Sequence, residues 1–317
     1  GITSVNLAAM NVMSGSEDVV IAGGAEMMST ICEDGLPPNP FLDNGNEALH
    51  AVHPHPHQGE SGDAIASMEG IPREALDAHA AESQKRAANA IEKGYFDRSL
   101  IPVYSTDGSL ALDAEEFPRP GTTAEGLGEL KASFEAIADY PLDEQGTTYR
   151  KMINQKYPDL EVKHFHHAGN SSGVVDGAAA LLLSSPEYAE KQGWKPRARI
   201  VAMANMGDCP TLMLNAPVPA AQRVLEKAGL SKDDIDLWEI NEAFAVVSEK
   251  FQRDLDLDRD KVNVNGGAMA LGHPIGATGS ILIGTLLDEL ERRDGRYGLV
   301  TMCAAGGMAP AVIVERL

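Results

Sequence analysis

Past Ala198 the chain alternates short aliphatic runs with helical stretches, and this alternation limits its fold more than any other feature. Ala198–Ala204, Ile235–Ile240, Tyr297–Met302 and Ala311–Glu315 read as strands, with a short one at Val262–Val264. Pro219–Ala228, Ala243–Leu255 and Gly276–Arg293 read as helices, the first and last followed by the stop signals Gly229 and Gly295. Near the start, Ile2, Val5, Leu7, Ala8, Ala9 and Val12 have near-helical spacing up to Gly15. Asp18–Glu26 follows as a short apolar run that reads as a buried parallel strand. Strands alternating with helices predict an α/β layered fold with a largely parallel sheet.

The middle is looser. Leu36–Gln58 is rich in Pro, Asn and His and reads as loop. Pro72–Gly94 reads as a helix, with Pro in its first turn and Gly at its end, and its expected role is plain packing. Pro118–Gly121 is a turn, and a short helix is expected within Gly126–Tyr140. Residues 30–163 are therefore expected to form a loop-rich insertion. A glycine turn leading into an aliphatic strand occurs at Gly169–Leu183 and again at Ala304–Val314, which hints at an internal repeat.

Charge and cysteine content exclude several functions. The 317 residues carry 26 Lys plus Arg against 47 Asp plus Glu, a net charge of −21. Such a surface repels phosphate backbones, so no nucleic-acid partner is expected, and an anionic ligand would need local cations. No apolar run approaches the roughly 20 residues of a membrane helix, so no membrane partner is expected. Cys32, Cys209 and Cys303 are far apart and form no Cys-x-x-Cys, which fits a reducing cytoplasm. The run His53-Pro-His-Pro-His57 reads as extended, with its histidines on one side. It lacks a carboxylate or Cys partner at ligand spacing, so no metal is expected.

Three motifs in the last third carry the chemistry. They are Asn241-Glu-Ala-Phe244, the glycine-rich Asn265–Gly279 containing Gly272-His273-Pro274, and Cys303-Ala-Ala-Gly-Gly307. Asn241 follows a strand, where α/β sheets place ligands, and fits a helix N-cap equally well. The loop around His273 could cradle a phosphate, but it lacks the Gly-Lys-Ser/Thr ending of a nucleotide-hydrolysing loop. Taken alone, His273 also reads as a packing histidine and Cys303 as a buried inert thiol.

In order and spacing, these motifs resemble the thiolase family. So do Asp18-Val-Val-Ile-Ala-Gly-Gly-Ala-Glu26, Arg119-Pro-Gly-Thr-Thr123 and Ala168-Gly-Asn-Ser-Ser-Gly173, and the likeness covers essentially the whole chain. It implies two similar α/β halves. Residues 1–29 and 164–185 would be the remainder of the N-terminal half, 30–163 an insertion, and 186–317 the C-terminal half. The implied reaction is Claisen-type acyl transfer between CoA thioesters, with acyl-CoA and CoA as partners, no cofactor, and a homodimer or homotetramer as the assembly.

The resemblance also implies roles. His273 takes the proton of a nucleophilic thiol, and Cys303 is the acid/base at the substrate α-carbon. A free thiol pKa of about 8.5 would serve both directions. His273 and a water on Asn241 form one oxyanion hole; the backbone N–H of Ala305 contributes to another. Ala168 and Ser172 lie along the pantetheine arm, Phe244 lines the acyl pocket, and His57 touches the CoA arm. Arg119, otherwise a solvated loop charge, stands near the CoA nucleotide. His164, His166 and His167 could shape acyl specificity.

One element falls outside the chain. The family carries its nucleophile in Cys-x-Ser-Gly, and Gly1 matches the final Gly, so the nucleophile would stand three positions earlier. Cys32 lies past the strand and cannot replace it. Three readings stay open: an incomplete sequence, a missing part carried by a separate polypeptide, and a non-catalytic subunit. The intact acid/base residues and the cost of a naked sheet edge argue against the last. Ketoacyl synthases share the layered repeat but use Cys-His-His or Cys-His-Asn, whereas Cys303 favours thiolase chemistry. A scaffold that binds acyl-CoA is the non-enzymatic alternative.

Overall fold

The computed structural model describes residues 1–33 and 45–317. Its strands are β1 (Val19–Met27), β2 (Val103–Tyr104), β3 (Leu110–Leu112), β4 (Asp176–Ser184), β5 (Ala198–Gly207), β6 (Leu237–Ile240), β7 (Tyr297–Thr301) and β8 (Met308–Arg316). One sheet pairs β1 with β4, and a small ribbon pairs β2 with β3. The third sheet has the order β5-β8-β7-β6. Helices Ile2–Met13 and Ile275–Arg293 lie between the first and third sheets. Their apolar faces share one core with Ala22, Leu237, Val300 and Val312. Helices Pro217–Ala228 and Ala245–Leu255 cover the far face of the four-stranded sheet. A second core there gathers Trp238, Phe251 and Ile313 with residues of Gln58–Glu69 and Arg73–Glu92.

The α/β layered class holds, but the expected parallel pairing does not. Only β6 and β7 are parallel; β5–β8, β7–β8 and β1–β4 are antiparallel. For β7 and β8 the cause is local. Ala304 and Met308 exchange backbone hydrogen bonds across a short turn in which Gly306 and Gly307 both have positive φ. So short a connection can only return antiparallel, because a parallel crossover needs a dozen or more residues. The β1 segment is not buried on both faces. Ala22 faces the helix layer, whereas Ile21, Ala25 and Met27 are exposed.

Other readings also change. Val262 and Val264 make only isolated bridges. Of the expected loop, residues 36–44 lie outside the described residues. Glu47–Val52 within it is helical, and a further helix starts at Gln58. Gln58–Glu69 is poor in helix formers, yet residues 59–66 are all buried in it, so tertiary packing overrides propensity. The unit of helix, strand, glycine turn and strand occurs twice. It runs from Ile2–Met13 through β1 and β4, and from Ile275–Arg293 through β7 and β8.

Candidate active site

Strand ends and glycine turns bring the three motifs together. Asn241 directly follows β6 and is fully buried, and its N–H donates to the Thr301 carbonyl at the end of β7. It is not a helix cap: Phe244 holds that position for Ala245–Leu255. The Asn241 Nδ2 donates to His273 Nε2 at 3.3 Å, and its Oδ1 is buried with no partner. That orphan acceptor is what a bound water would satisfy.

A single neighbour fixes the His273 tautomer. Thr278 Oγ1 donates to the Pro274 carbonyl at 3.1 Å, one helical turn back. Its oxygen must therefore accept at 2.6 Å from His273 Nδ1, which carries the proton. Nε2 is left with a bare lone pair. Burial lowers the imidazole pKa to about 4, so the ring is neutral near pH 7. The backbone N–H of His273 donates to the Gly173 carbonyl at 2.9 Å.

Cys303 stands two residues past Thr301, buried, and burial pushes its thiol up to about 12. This lies above the near-neutral thiol expected, because burial favours the protonated form. Ala305, on the following turn, is exposed, and its N–H makes no hydrogen bond among the described residues.

Backbone pairing binds Ala168–Gly173 to the other motifs. The Ser172 N–H donates to the Ala243 carbonyl at 3.0 Å and the Gly173 N–H to the Ala268 carbonyl at 3.2 Å. Ala168 is exposed at the start of the turn Ala168–Asn170, and Ser172 is half-buried. Phe244 lies in an aromatic cluster, 5.9 Å from Phe134 and 5.5 Å from His166 between ring centres. His57 joins it 5.2 Å from Phe134, and its Nδ1 caps the next helix by accepting from the Gly59 N–H. Arg119 is tied in by its N–H, which donates to Gln84 Oε1 at 2.7 Å. Its guanidinium is exposed and makes no ion pair among the described residues.

Several supporting residues were not singled out in the sequence. Glu242 binds motifs rather than substrate: it accepts from Ser83 Oγ at 2.6 Å, Asn263 Nδ2 at 3.0 Å and the Met269 N–H at 3.4 Å. Ser83 Oγ also accepts from the Gly267 N–H, and Gln84 Nε2 donates to the Met269 carbonyl. Asp77 accepts from Asn170 Nδ2 and pairs with His167 Nε2, each at 2.8 Å. The helix Arg73–Glu92, expected only to pack, thus anchors two of the glycine loops, Asn265–Gly279 and Ala168–Gly173. Its signal was present as buried polar residues on an apolar helical stripe.

The histidine run lies between two helices: His53 closes Glu47–Val52 and His57 opens Gln58–Glu69, and between them Pro54 and Pro56 are buried while the three histidines are less so, the alternation the sequence predicts. Glu60, Asp63 and His164 do bring possible ligand atoms within 4.8 Å of one another. Yet Arg150 donates to His164 Nε2 at 3.2 Å, which leaves the His164 proton on Nδ1, facing Asp63 Oδ2 at 3.2 Å. A protonated nitrogen beside a guanidinium does not suit a cation.

Comparison with known proteins accounts for this arrangement. Residues 1–138 match the family model described as thiolase, N-terminal domain, and residues 194–316 match thiolase, C-terminal domain. The acetyl-CoA acetyltransferase of Thiocystis violacea is 39% identical, with all of this chain aligned to 77% of that protein. The mouse cytosolic acetyl-CoA acetyltransferase is 37% identical, aligned over 76% of its length. Two crystal structures, Bacillus anthracis acetyl-CoA acetyltransferase and human mitochondrial 3-ketoacyl-CoA thiolase, superpose with TM-scores of 0.81. They are 34% and 33% identical, and each match covers all of this chain and 76% of the other. This chain belongs to the thiolase family.

Proposed function

We propose that the protein is an acyl-CoA C-acyltransferase that cleaves a 3-ketoacyl-CoA with free CoA, or runs the reverse condensation, through the site built on Asn241, His273 and Cys303. Family membership gives the class of reaction. The observation that carries the site assignment is His273: neutral, its proton fixed on Nδ1 by Thr278, and its bare Nε2 beside an Asn241 amide with an orphan oxygen.

The expected roles then follow in sequence. His273 Nε2 accepts the proton of the acyl-carrying thiol, which the family places just ahead of the position that Gly1 matches. Gly1 packs against the His273 loop, its nitrogen donating to the Gly276 carbonyl at 2.9 Å. The thiolate attacks the 3-keto carbon, and the carbonyl electron pair moves onto oxygen. His273 can now donate from Nε2, so it serves as base first and, with a water on Asn241, as donor to the enolate oxygen that forms next. The bond between C2 and C3 breaks and its electrons form the acetyl-CoA enolate. Cys303 gives its proton to C2, and the thiol held by burial suits this step. The Ala305 N–H, without a hydrogen bond among the described residues, steadies with the nucleophile's N–H the tetrahedral oxyanion at the acyl carbon. CoA sulfur then attacks the acyl-enzyme, its proton passing to the Cys303 thiolate, and the expelled enzyme thiolate recovers its proton from His273, so the cycle closes without any cofactor.

Arg119 is the cation that this reading assigns to the CoA nucleotide in an otherwise acidic protein. A homo-oligomer, a role in fatty-acid breakdown and a cytoplasmic location belong to the same proposal. They are supported by the family and by the absence, among the described residues, of a helix long and apolar enough to cross a membrane. The test is thiolysis by the native gene product, with 3-ketoacyl-CoAs of several lengths and free CoA. Two shorter acyl-CoAs are the expected products, and their absence at every length would refute the proposal.

A further inference from the structure

Behind the aromatic wall of His57, Phe134 and Phe244 lies a polar nest that the reaction above does not use. Glu60 is fully buried in the first turn of Gln58–Glu69, and neither of its carboxyl oxygens has a hydrogen-bond partner, His164 Nδ1 standing 3.6 Å from Oε1. His166 is fully buried with its ring against Phe244, and its Nδ1 meets Asp63 Oδ1 at 2.7 Å. Asp63 also accepts the N–H groups of Phe165 and His166 at 2.9 and 3.0 Å. Burial pushes the Asp63 carboxyl up, but the hydrogen bonds from His164 and His166 outweigh this and hold it below its usual range. An ionised Asp63 only accepts, so His166 carries its proton on Nδ1, and its Nε2 is a bare acceptor with no partner.

Three buried acceptor atoms are thus unpaired within one cluster. Folded proteins rarely leave such atoms unmatched, because burial removes the water that would satisfy them. The chemistry of the gap is narrow. Asp63 is saturated and negative, which repels an anion. His164, which accepts from Arg150 and meets Asp63 through Nδ1, disfavours a cation. Burial raises Glu60 to about 7, so its carboxyl can take or give a hydrogen bond near neutrality. A neutral group that does both is an alcohol. Of the aromatic rings beside the nest, His57 and Phe134 are only half-buried.

We propose that this nest receives a hydroxyl carried on the acyl chain, so that the preferred substrate is a hydroxylated 3-ketoacyl-CoA rather than the plain alkyl one. The proposal rests on the thiolase reading. A site built to hydrogen-bond a hydroxyl discriminates strongly against the analogue that lacks it, since its buried polar atoms are then left unpaired.

The test is the ratio of kcat/KM for paired 3-ketoacyl-CoAs, with and without a hydroxyl on the distal chain, over several chain lengths in the native gene product. The expected ratio favours the hydroxylated substrate by about tenfold or more at the best length. Glu60→Leu and His166→Phe should each bring that ratio below about threefold. Because the ratio is internal to each protein, partial loss of folded enzyme does not alter it. A wild-type ratio near one at every length overturns the proposal even if the variants do not fold. So does an unchanged ratio in both variants, which would assign the nest to ordered water. No thiolysis of either substrate would instead sink the acyltransfer reading on which the proposal stands.

Discussion

His273 can accept a thiol proton only while Nε2 is bare, and Thr278 sets that condition through one hydrogen bond. Nitrogen-detected NMR at pH 7 should therefore show a neutral ring protonated on Nδ1, with a titration midpoint near 4 rather than the free value of 6.5. The sign matters: burial depresses this pKa, so stability from the neutral ring is fully present above pH 6.5. It is lost as pH falls through 4. Thr278→Val removes the acceptor and should let the proton move to Nε2, lowering kcat by about tenfold to a hundredfold with little change in KM. A ring protonated on Nε2 in the wild type would contradict the assignment. At this scale the sequence was most informative where a family motif names a residue, as with Asn241, His273 and Cys303. It was least informative for residues whose role exists only through a partner distant in the chain. Thr278, Glu242, Asp77 and Ser83 are of that kind: each is an ordinary polar residue until folding sets it against its partner.

Elements were legible where local signals agreed. Arg73–Glu92 and Ile275–Arg293 have helical spacing and stop signals, and they appear almost as expected. Tyr149–Lys156 and Pro186–Gln192 went unread although both carry capping side chains, Thr148 and Ser185. Strand direction was not legible at all, because period and apolar content do not encode which neighbour a strand meets. Glycines carry the loop geometry. Gly266 has φ of +80°, and a Cβ there would stand 2.6 Å from the Ser83 carbonyl oxygen. Gly266→Ala should therefore cost roughly 2–4 kcal/mol in a urea melt, combining backbone strain with overpacking. It should also weaken activity, because Gly267 and Met269 carry the contacts to Ser83 and Glu242. Stability within 0.5 kcal/mol of wild type, well below the few kcal/mol such strain costs, would show that the loop relaxes freely.

Over the whole molecule the excess of acid sets the background. A net charge of −21 opposes compaction through self-repulsion, and salt screens it with a Debye length of about 10 Å at 0.1 M. The melting temperature should rise between low salt and about 0.3 M sodium chloride; a fall would mean that ion pairs such as Arg197 with Asp288 and Glu291 outweigh the repulsion. The KM for CoA should rise over the same range if Arg119 holds the nucleotide. Two sheets with helices between them place the ends of β6 and β7 beside the first turn of Ile275–Arg293, and this brings Asn241, Cys303 and His273 into one region. The central claim is that this region is the acid/base site of a thiolase, and turnover of Cys303→Ala in the native gene product tests it most directly. Thiolysis of a 3-ketoacyl-CoA should fall by about a thousandfold or more, as expected for loss of a group acting on the reacting carbon, with circular dichroism and substrate binding preserved. A Cys303→Ala enzyme within tenfold of wild type would contradict it.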